Sequence, residues 1–299
     1  MPTSGAAVPE PAAPDTVAPD SPAPVEIPLR QAATVMLVRD GAGGLEVFML
    51  RRNPRSEFVP GQFVFPGGAV DAEDREDPGL ESVCIGLDDA TASARIDVDH
   101  GGLAYWVAAV RECFEEAGVL LARNGSEHVS FDDATMASRF AALRRQVHSG
   151  DLRLAQMCLD EGLVLELDDL RYVSHWITPV GPTRRFDTRF FIAHVPDGQE
   201  PLHDGSETVE STWIRPADAF AQHADGTFMM IFPTYKNLEP LLDVDTVADL
   251  MAWADGLEDI PALLPAIAVS PDGEVLTLLP GDEGYDEAMA NPPQPGSMQ

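Results

Sequence analysis

The sequence predicts an α+β or mixed α/β sandwich, and two observations support that prediction. Short β-rich apolar runs and amphipathic helical stretches follow one another along the chain without a regular β-α-β repeat. A doubly wound parallel sheet needs such a repeat, so a sandwich built on a mixed sheet is the better match. The chain has 299 residues and is 44% hydrophobic, which is enough to bury a substantial core.

The first part of the chain predicts a hairpin, a short strand and one long helix. The apolar run 32–40 and the alternating run 45–52 flank a Gly-Ala-Gly-Gly turn signal, a pattern typical of a β-hairpin. The stretch 62–68 predicts a short strand that ends in a Pro-Gly-Gly turn. Residues 71–102 are acidic and broken by Pro and Gly, which indicates a loop. Apolar residues at three- and four-residue steps then predict a helix over 103–118.

The rest of the chain continues the mixture of helices and strands. Helical periodicity predicts helices at 131–150, 151–162, 216–223, about 233–242 and 245–255. Strand patterns occur at 174–180, 184–195 and 210–216, and a hairpin around Pro-Asp-Gly occurs at 266–280. Pro- and Ala-rich or otherwise weakly apolar ends predict disordered tails at 1–28 and 282–299, with one domain over 29–281 between them.

Composition narrows the classes of function. The net charge of −31 repels phosphates, so we expect no nucleic-acid partner. No apolar run is long enough to span a membrane and no secretory signal is recognisable, so we expect a cytoplasmic protein. The three cysteines form no CxxC pattern, which argues against a disulfide framework or a zinc site and fits a reducing compartment. A homodimer is compatible with the sequence.

An acidic cluster stands on the helix predicted over 103–118. Glu112, Glu115 and Glu116 follow Arg111, although like charges at helical neighbour spacing destabilise a helix. Carboxylates suit Mg²⁺ or Mn²⁺, and such an ion would turn the repulsion into attraction. At 100° per residue the carboxylates share one stripe, so we expect the helix to pack its apolar face on the core and present them outward. The alternative is a solvated acidic face.

The sequence upstream favours the metal-binding interpretation. Gly67 and Gly68 end a Phe-Pro-Gly-Gly turn, which could bring a backbone carbonyl next to the carboxylates. With this context the sequence resembles the Nudix hydrolases, whose signature is G-x5-E-x7-R-E-U-x-E-E-x-G-U, with an apolar residue at U. Residues 111–119 match the second half of the signature and Gly68 matches its first glycine.

The match departs from the signature in two places. Asp74 stands where the signature has its first Glu, which leaves the role of that acid open. The spacer between Asp74 and Arg111, residues 75–110, is 36 residues long rather than seven. The signature is therefore split by an insertion at about 75–102.

The split signature resembles one branch, the long-insert coenzyme A diphosphatases of the peroxisomal type. The stretches MLRRNPRSEFVPGQFVFPGGAVDAED, HWITPVGPTRRFDTRFFIAHV and FPTYKNLEPLL support that branch, and the resemblance covers roughly residues 30–245. It implies a Nudix-type α/β/α sandwich with a mixed sheet, an insertion inside the signature and extra helices.

The resemblance also implies an activity. The branch hydrolyses, with Mg²⁺ or Mn²⁺, the pyrophosphate of coenzyme A or acyl-CoA to adenosine 3′,5′-bisphosphate and (acyl-)phosphopantetheine. The same chemistry on ADP-ribose, a dinucleotide or a nucleotide sugar stays open, each being a small nucleotide. A catalytically silent Nudix-fold binding or regulatory module is the alternative from another class, and the retained glutamates argue against it.

The resemblance assigns roles to individual residues. The expected metal ligands are Glu112, Glu115, Glu116 and the Gly67 carbonyl. Arg111 is expected to orient a carboxylate. The base that takes the proton of the attacking water differs within the family, and the candidates here are Glu115, Glu207 and Glu210. An exposed acidic loop is the alternative for the last two.

Four arginines and a glycine complete the candidate site. Arg51 and Arg52, and likewise Arg184 and Arg185, form pairs in an otherwise acidic chain. The guanidinium group matches phosphate oxygens bidentately, and a substrate with several phosphates needs such contacts. We expect these arginines, with Gly68, to bind substrate, although each could instead pair with a surface acid.

Overall fold

The structure, a computed structural model, describes residues 27–56, 59–270 and 272–298. Its strands are β1 (Leu29–Gly41), β2 (Gly44–Arg52), β3 (Phe63–Val64), β4 (Gly67–Ala69), β5 (Cys84–Ile85), β6 (Ala122–Asn124), β7 (Glu127–His128), β8 (Val164–Glu166), β9 (Arg171–Ile177), β10 (Arg185–His194), β11 (Thr208–Ile214), β12 (Ala262–Leu263), β13 (Ala266–Val269) and β14 (Val275–Leu278). All but two residues of the expected N-terminal tail lie outside this description, so that expectation stays a prediction.

Helices follow the strands closely along the chain. They are α1 (Glu73–Glu76), α2 (Leu80–Val83), α3 (Asp89–Arg95), α4 (Leu103–Glu112), α5 (Ala134–His148), α6 (Leu154–Glu161), α7 (Pro216–Ala224), α8 (Phe232–Leu238), α9 (Val247–Asp255) and α10 (Tyr285–Ala290). A π-helical turn, Cys113–Ala117, continues α4, and 3₁₀ turns occupy Leu167–Asp169 and Glu239–Asp243. The helices predicted from periodicity are thereby confirmed from α4 to α9.

The main sheet has eight strands and mixes parallel with antiparallel pairs. Its order is β11-β2-β1-β10-β9-β12, with β3 paired to β2 and β4 paired to β1. β1 runs parallel to β10 and antiparallel to β2, so the predicted hairpin is confirmed. This mixed sheet confirms the predicted fold class. A second sheet, β5-β8-β6-β7, and the hairpin β13-β14 complete the strands of the described residues.

Helices cover both faces of the main sheet. Along β1, Val35 and Leu37 belong to the core on the α4 side, whereas Met36 and Val38 belong to the core on the other side. This two-residue alternation is the side-chain period of a strand. Helices α4, α5 and α6 contribute to the first core, and α7, α8 and α9 contribute to the second. The result is the α/β/α sandwich that the resemblance implies.

The insertion expected as a loop is instead folded. Within 71–102 the structure has α1, α2, β5 and α3, and β5 pairs in parallel with β8. Leu80, Val83 and Ile96 are buried in the α4-side core. These apolar residues are too few and too widely spaced to produce a periodic signal, so the sequence pattern does not reveal that they pack against α4, α6 and β8.

The C-terminal segment also differs from the expected disordered tail. Residues 282–298 include α10, and the Tyr285 hydroxyl donates a hydrogen bond to the Leu264 carbonyl at 2.8 Å. The Met298 backbone N–H donates to the Gly181 carbonyl at 3.1 Å. Contacts with distant residues therefore order a segment whose own composition is weakly apolar.

Among the described helices, none combines the length with the apolar character that crossing a bilayer demands. Cys84, Cys113 and Cys158 are all free thiols, as their spacing predicts.

Candidate active site

The acidic cluster lies where the end of α4 approaches the backbone of β4. The Gly67 N–H donates a hydrogen bond to Glu116 Oε2 at 3.0 Å. A Cβ added to Gly68 would lie 2.4 Å from Glu112 Oε1, and one added to Gly67 would lie 2.6 Å from the Ala33 carbonyl oxygen. A Cβ at Gly68 would displace the buried Glu112 carboxylate, and a Cβ at Gly67 would clash with the backbone of β1. Glycine therefore lets Glu112 approach β4 at position 68 and lets β4 pair closely with β1 at position 67.

The pairing of β4 with β1 determines where the Gly67 carbonyl points. Val35 N–H donates to the Pro66 carbonyl and Val70 N–H donates to the Gln31 carbonyl. Gly67 therefore occupies a position whose N–H and C=O are directed away from β1, as in every second residue of an antiparallel pair. Its N–H meets Glu116 on that side, and its carbonyl oxygen faces the same way.

The helix widens into a π turn at the glutamates. Glu115 and Glu116 lie within Cys113–Ala117, where i→i+5 hydrogen bonds replace the α-helical pattern. Gly118 then ends the helix with φ = +70°, and a Cβ there would lie 2.8 Å from Arg144 Nη1. Arg144 Nε donates to the freed Glu115 carbonyl at 2.9 Å. Single-turn π segments frequently mark functional sites, and here the turn sets the directions of the two carboxylates.

Arg111 is held by Asp74, the residue at the departure from the signature. Arg111 Nε and Nη2 donate to the two carboxylate oxygens of Asp74, each at 2.9 Å. Arg111 Nη2 also donates to the Ala69 carbonyl at 2.8 Å, and Nη1 donates to Glu112 Oε1 at 2.9 Å. Asp74 is 3% exposed. Aspartate at this position therefore supplies a buried bidentate anchor for the arginine.

Glu115 points towards a helix that sequence reasoning did not connect with the site. Its Oε1 accepts from Arg111 Nη1 at 3.3 Å, and its Oε2 lies 3.5 Å from His148 Nδ1 on α5. Arg144, also on α5, ties the Glu115 backbone to the Leu202 carbonyl. Nothing in the sequence indicated His148 or Arg144, because they stand on an ordinary amphipathic helix about 30 residues further along.

The carboxylates are buried rather than presented outward. Glu112 is 9% exposed and Glu116 is 5% exposed, and Phe114 packs in the core behind them. The expected outward stripe is therefore wrong, because α4 is covered on nearly all sides by β4, the sheet and the insertion. Burial raises the pKa of Glu112 to about 7, with Arg111 opposing the shift. Burial and then repulsion from Glu112 raise the pKa of Glu116 well above its usual value.

These residues fit a divalent cation. Two buried carboxylates repel each other, and the guanidinium of Arg111 is already engaged by Asp74 and Glu115 as well as by Glu112. A carboxylate buried without full compensation is unfavourable. Carboxylate oxygens together with the Gly67 carbonyl form a hard oxygen set of the kind that Mg²⁺ and Mn²⁺ prefer.

The two candidate bases of the 207–210 segment, Glu207 and Glu210, lie in different surroundings. Glu207 lies close enough to raise the pKa of Glu116 through repulsion. Asp204 holds the Glu207 loop by accepting from the backbone N–H groups of Ser206 and Glu207. Glu210, in contrast, pairs with Arg51 at 3.1 Å on the exposed edge of the sheet.

The adjacent arginines Arg51 and Arg52 also separate, because successive side chains of β2 face opposite sides of the sheet. Arg52 lies on the α4 side, where its charge lowers the pKa of Glu116, and its Nε is buried without a hydrogen-bond partner among the described residues. Arg51 lies on the other side, where its Nε donates to the Gly61 carbonyl.

The second arginine pair lies further from the carboxylates. Arg185 Nε donates to the carbonyls of Thr178 and Pro179. In the sheet register, Arg185 is paired with Leu29 of β1, whereas Gly67 is paired with Thr34 of the same strand. Five residues of strand separate the two levels by about 16 Å. Arg184 precedes Arg185 on the exposed side of this strand end.

A further group with potential metal ligands occurs on the small sheet. His128, Glu166 and Asp169 place one ligand atom each within 4.8 Å of one another. Arg123 already forms an ion pair with Glu166 and contacts His128 at 3.3 Å. Since this guanidinium compensates the carboxylate, the group is an ordinary ion-pair cluster.

Comparisons with known proteins agree with the geometry. The family model described as the NUDT19 Nudix domain matches residues 82–241. The chain is 30% identical over 277 residues to the acyl-coenzyme A diphosphatase NUDT19 of Homo sapiens, covering 82% of this chain and 74% of that protein. It is 28% identical over 305 residues to the Gallus gallus protein of the same name, covering 86% of this chain and 80% of that protein.

A solved structure gives the same result. The Nudix hydrolase from Alicyclobacillus acidocaldarius superimposes with a TM-score of 0.61 and 28% identity, covering 76% of this chain and 97% of that one. These similarities confirm the resemblance that the split signature predicts.

Burial of Glu112 predicts a pH-dependent stability in protein freed of metal. The raised pKa means that the protonated carboxyl stabilises the fold below pH 4.5, and that this contribution is lost as the pH rises towards 7. We expect Glu112→Gln to match the wild type near pH 5 and to exceed it at pH 8 by up to about 3 kcal/mol. Urea denaturation with a chelator measures the difference.

Glu127→Gln, which alters an exposed carboxylate on β7, is the matched control for the loss of one acidic side chain. If the Glu112→Gln protein were less stable than the wild type at pH 8, burial would not be what raises the pKa of Glu112.

Proposed function

The chain belongs to the Nudix hydrolases, in the family of the NUDT19 Nudix domain, and from that premise we propose that it hydrolyses the pyrophosphate of coenzyme A or acyl-CoA. The products are adenosine 3′,5′-bisphosphate and phosphopantetheine or its acyl form. The names of the relatives in two vertebrates support this substrate class. The observation that carries the proposal is the pair of buried carboxylates, Glu112 and Glu116, seated on Gly67 and Gly68.

We propose Mg²⁺ or Mn²⁺ as the cofactor. Glu112, Glu116 and the Gly67 carbonyl would hold it, with Glu115 as a further ligand. When bound, the ion would neutralise charge on the phosphoryl oxygens and acidify the attacking water. Arg111 keeps the Glu112 and Glu115 carboxylates in place through its anchor on Asp74.

In the reaction the water oxygen bonds to one phosphorus while the bridging P–O bond breaks, and the bridging oxygen leaves with its electron pair. The proton of the water passes to a carboxylate. We assign that role to Glu207, whose charge raises the pKa of Glu116 and whose loop is held by Asp204. Glu115 is engaged by Arg111 and faces His148, and Glu210 is paired with Arg51.

Compartment and assembly belong to the proposal as well. Three free thiols, of which Cys113 and Cys158 are buried, are consistent with the reducing cytoplasm. The homodimer that the sequence allows stays a prediction.

The primary test incubates the protein with coenzyme A, with and without Mg²⁺, and identifies products by mass spectrometry. We expect adenosine 3′,5′-bisphosphate and phosphopantetheine, and only with the metal. If coenzyme A stayed intact while ADP-ribose, a dinucleotide or a nucleotide sugar was cleaved, the cleaved compound would be the substrate instead of coenzyme A. No cleavage of any of them would indicate a silent module.

Glu116→Gln is the control for the metal site in the same assay. It should reduce turnover at least 100-fold, since it removes a buried ligand charge while keeping the acceptor of the Gly67 hydrogen bond. Retained turnover in a folded variant would contradict the metal assignment.

The two loop acids allow a matched test of the base. We expect Glu207→Gln to lower kcat about 100-fold or more, because it removes the proton acceptor, and to restore part of the rate at higher pH. Glu210→Gln removes an equal charge three residues away and should leave kcat nearly unchanged. Equal effects in the two variants would refute the assignment to Glu207.

The adjacent arginines allow a matched test of phosphate binding. Arg52 lies on the α4 side of the sheet and its Nε has no hydrogen-bond partner in the part of the chain that the structure describes. We therefore expect Arg52→Gln to raise KM about 10-fold or more through the loss of a charged hydrogen bond to the substrate. Arg51→Gln changes the neighbouring side chain on the opposite face and should alter KM little. Steady-state kinetics measures both, and the reverse order would contradict the placement.

A further inference from the structure

A cavity adjoins the carboxylate site. It has a volume of ≈ 520 Å³ and lies between the start of β1, the residues that follow Gly68 on β4, and β10. Ala69 and Asp71 line it, and both also contact Arg111, through hydrogen bonding at 2.8 Å and an ion pair at 3.6 Å. The cavity is therefore continuous with the structure that holds the glutamates. We call it the Asp187 cavity, after the residue on its β10 wall.

Asp187 is held in one orientation. Its Oδ1 accepts a hydrogen bond from His175 Nε2, and Arg189 also donates to this oxygen. Arg189 is 4% exposed and stands over the ring of Tyr105 on α4, so the whole cluster is braced against the helix. The Asp187 side chain is 21% exposed and lines the cavity. A carboxylate fixed from behind is a preorganised acceptor for a ligand donor.

Strand register sets the distance from the carboxylate site. On β1, Gln31 is paired with Asp187 of β10 on one side, and its carbonyl accepts a hydrogen bond from the Val70 N–H on the other side. Val70 is three residues beyond Gly67, or about 10 Å along the strand. A substrate whose pyrophosphate lies at Gly67 can therefore reach the Asp187 cavity with one of its two ends.

The two sides of Gly67 differ in charge. β2, which carries Arg52, flanks β1 opposite to β10, which carries Asp187. The cavity lining has two carboxylates, Asp71 and Asp187, and one guanidinium, Arg30. Asp187 is already paired with Arg189, and Asp71 lies 3.6 Å from Arg111, so these carboxylates act as hydrogen-bond acceptors rather than as uncompensated charges. A phosphate-rich end is attracted to Arg52, and a neutral end with hydrogen-bond donors suits the Asp187 side.

We propose that the Asp187 cavity binds the neutral amide- and hydroxyl-bearing arm of the substrate, and that Asp187 accepts a hydrogen bond from that arm. This inference rests on the proposed function, because phosphopantetheine is the half of coenzyme A that carries such an arm. Leu29, 42% exposed on the cavity lining, leaves an apolar rim along which an acyl group extends to solvent. Asp187 thus distinguishes the two ends of the substrate.

The test measures the binding of each product half by calorimetry, with Mg²⁺, to the wild type and to Asp187→Asn. We expect the variant to bind 4′-phosphopantetheine about 10-fold more weakly, the loss of one charged hydrogen bond, and to bind adenosine 3′,5′-bisphosphate as the wild type does. The KM for coenzyme A should rise by a similar factor with little change in kcat. A variant that merely disturbed the fold would weaken both halves.

Leu29→Trp is the second variant, since it narrows the rim without touching the Asp187 hydrogen bonds. It should weaken the binding of 4′-phosphopantetheine and leave the binding of adenosine 3′,5′-bisphosphate unchanged. The proposal would be overturned if both variants bound only adenosine 3′,5′-bisphosphate more weakly. It would also be overturned if both variants bound each product half as the wild type does. The binding experiment does not depend on turnover. If the wild type left coenzyme A intact while the variants lost affinity for 4′-phosphopantetheine alone, the proposed function would be refuted and the assignment of the cavity would stand.

Discussion

The close approach of two carboxylates to a bare stretch of backbone is the constraint on which the rest of the structure depends. Glu112 packs directly against Gly68, where a Cβ would lie 2.4 Å from its Oε1, and Glu116 accepts a hydrogen bond from the Gly67 N–H. Burial at this approach removes water from the carboxylates and raises their pKa values. The π turn, the Gly118 helix end and the Arg144 contact all keep the glutamates on this strand.

The Arg111–Asp74 pair explains how a long insertion can interrupt the site without disrupting it. Asp74 and Arg111 stand at the two ends of the interruption and meet through two hydrogen bonds of 2.9 Å. Loop-closure entropy grows only slowly with loop length, so a longer excursion between two well-anchored ends is tolerated. The insertion adds its own burial through Leu80, Val83 and Ile96, and its β5 joins a second sheet.

A chain of net charge −31 must attract an anionic substrate through local features. Arg52 is the feature we propose for this role, because its charge lowers the pKa of Glu116 and its Nε has no partner among residues 27–56, 59–270 and 272–298. The sheet then arranges charge across the site, from Arg52 on β2, past Gly67 on β4, to Asp187 on β10. This polarity gives a direction to a substrate whose two ends differ in charge.

Local sequence pattern is enough to predict several features of this protein. Periodicity located α4 to α9 and the β1–β2 hairpin, and the spacing of Arg111, Glu112, Glu115 and Glu116 behind a Gly-Gly turn indicated the family. Tertiary structure decided which of two neighbouring residues faces the site. The charges of Arg52 and Glu207 act on Glu116, whereas Arg51 and Glu210 pair with each other on the sheet edge.

The physical reason is that strand register and loop anchoring, which depend on distant residues, set the direction of each side chain. The folded insertion, the contact of His148 with Glu115 and the bracing of Asp187 are likewise long-range contacts, and no local pattern encodes them.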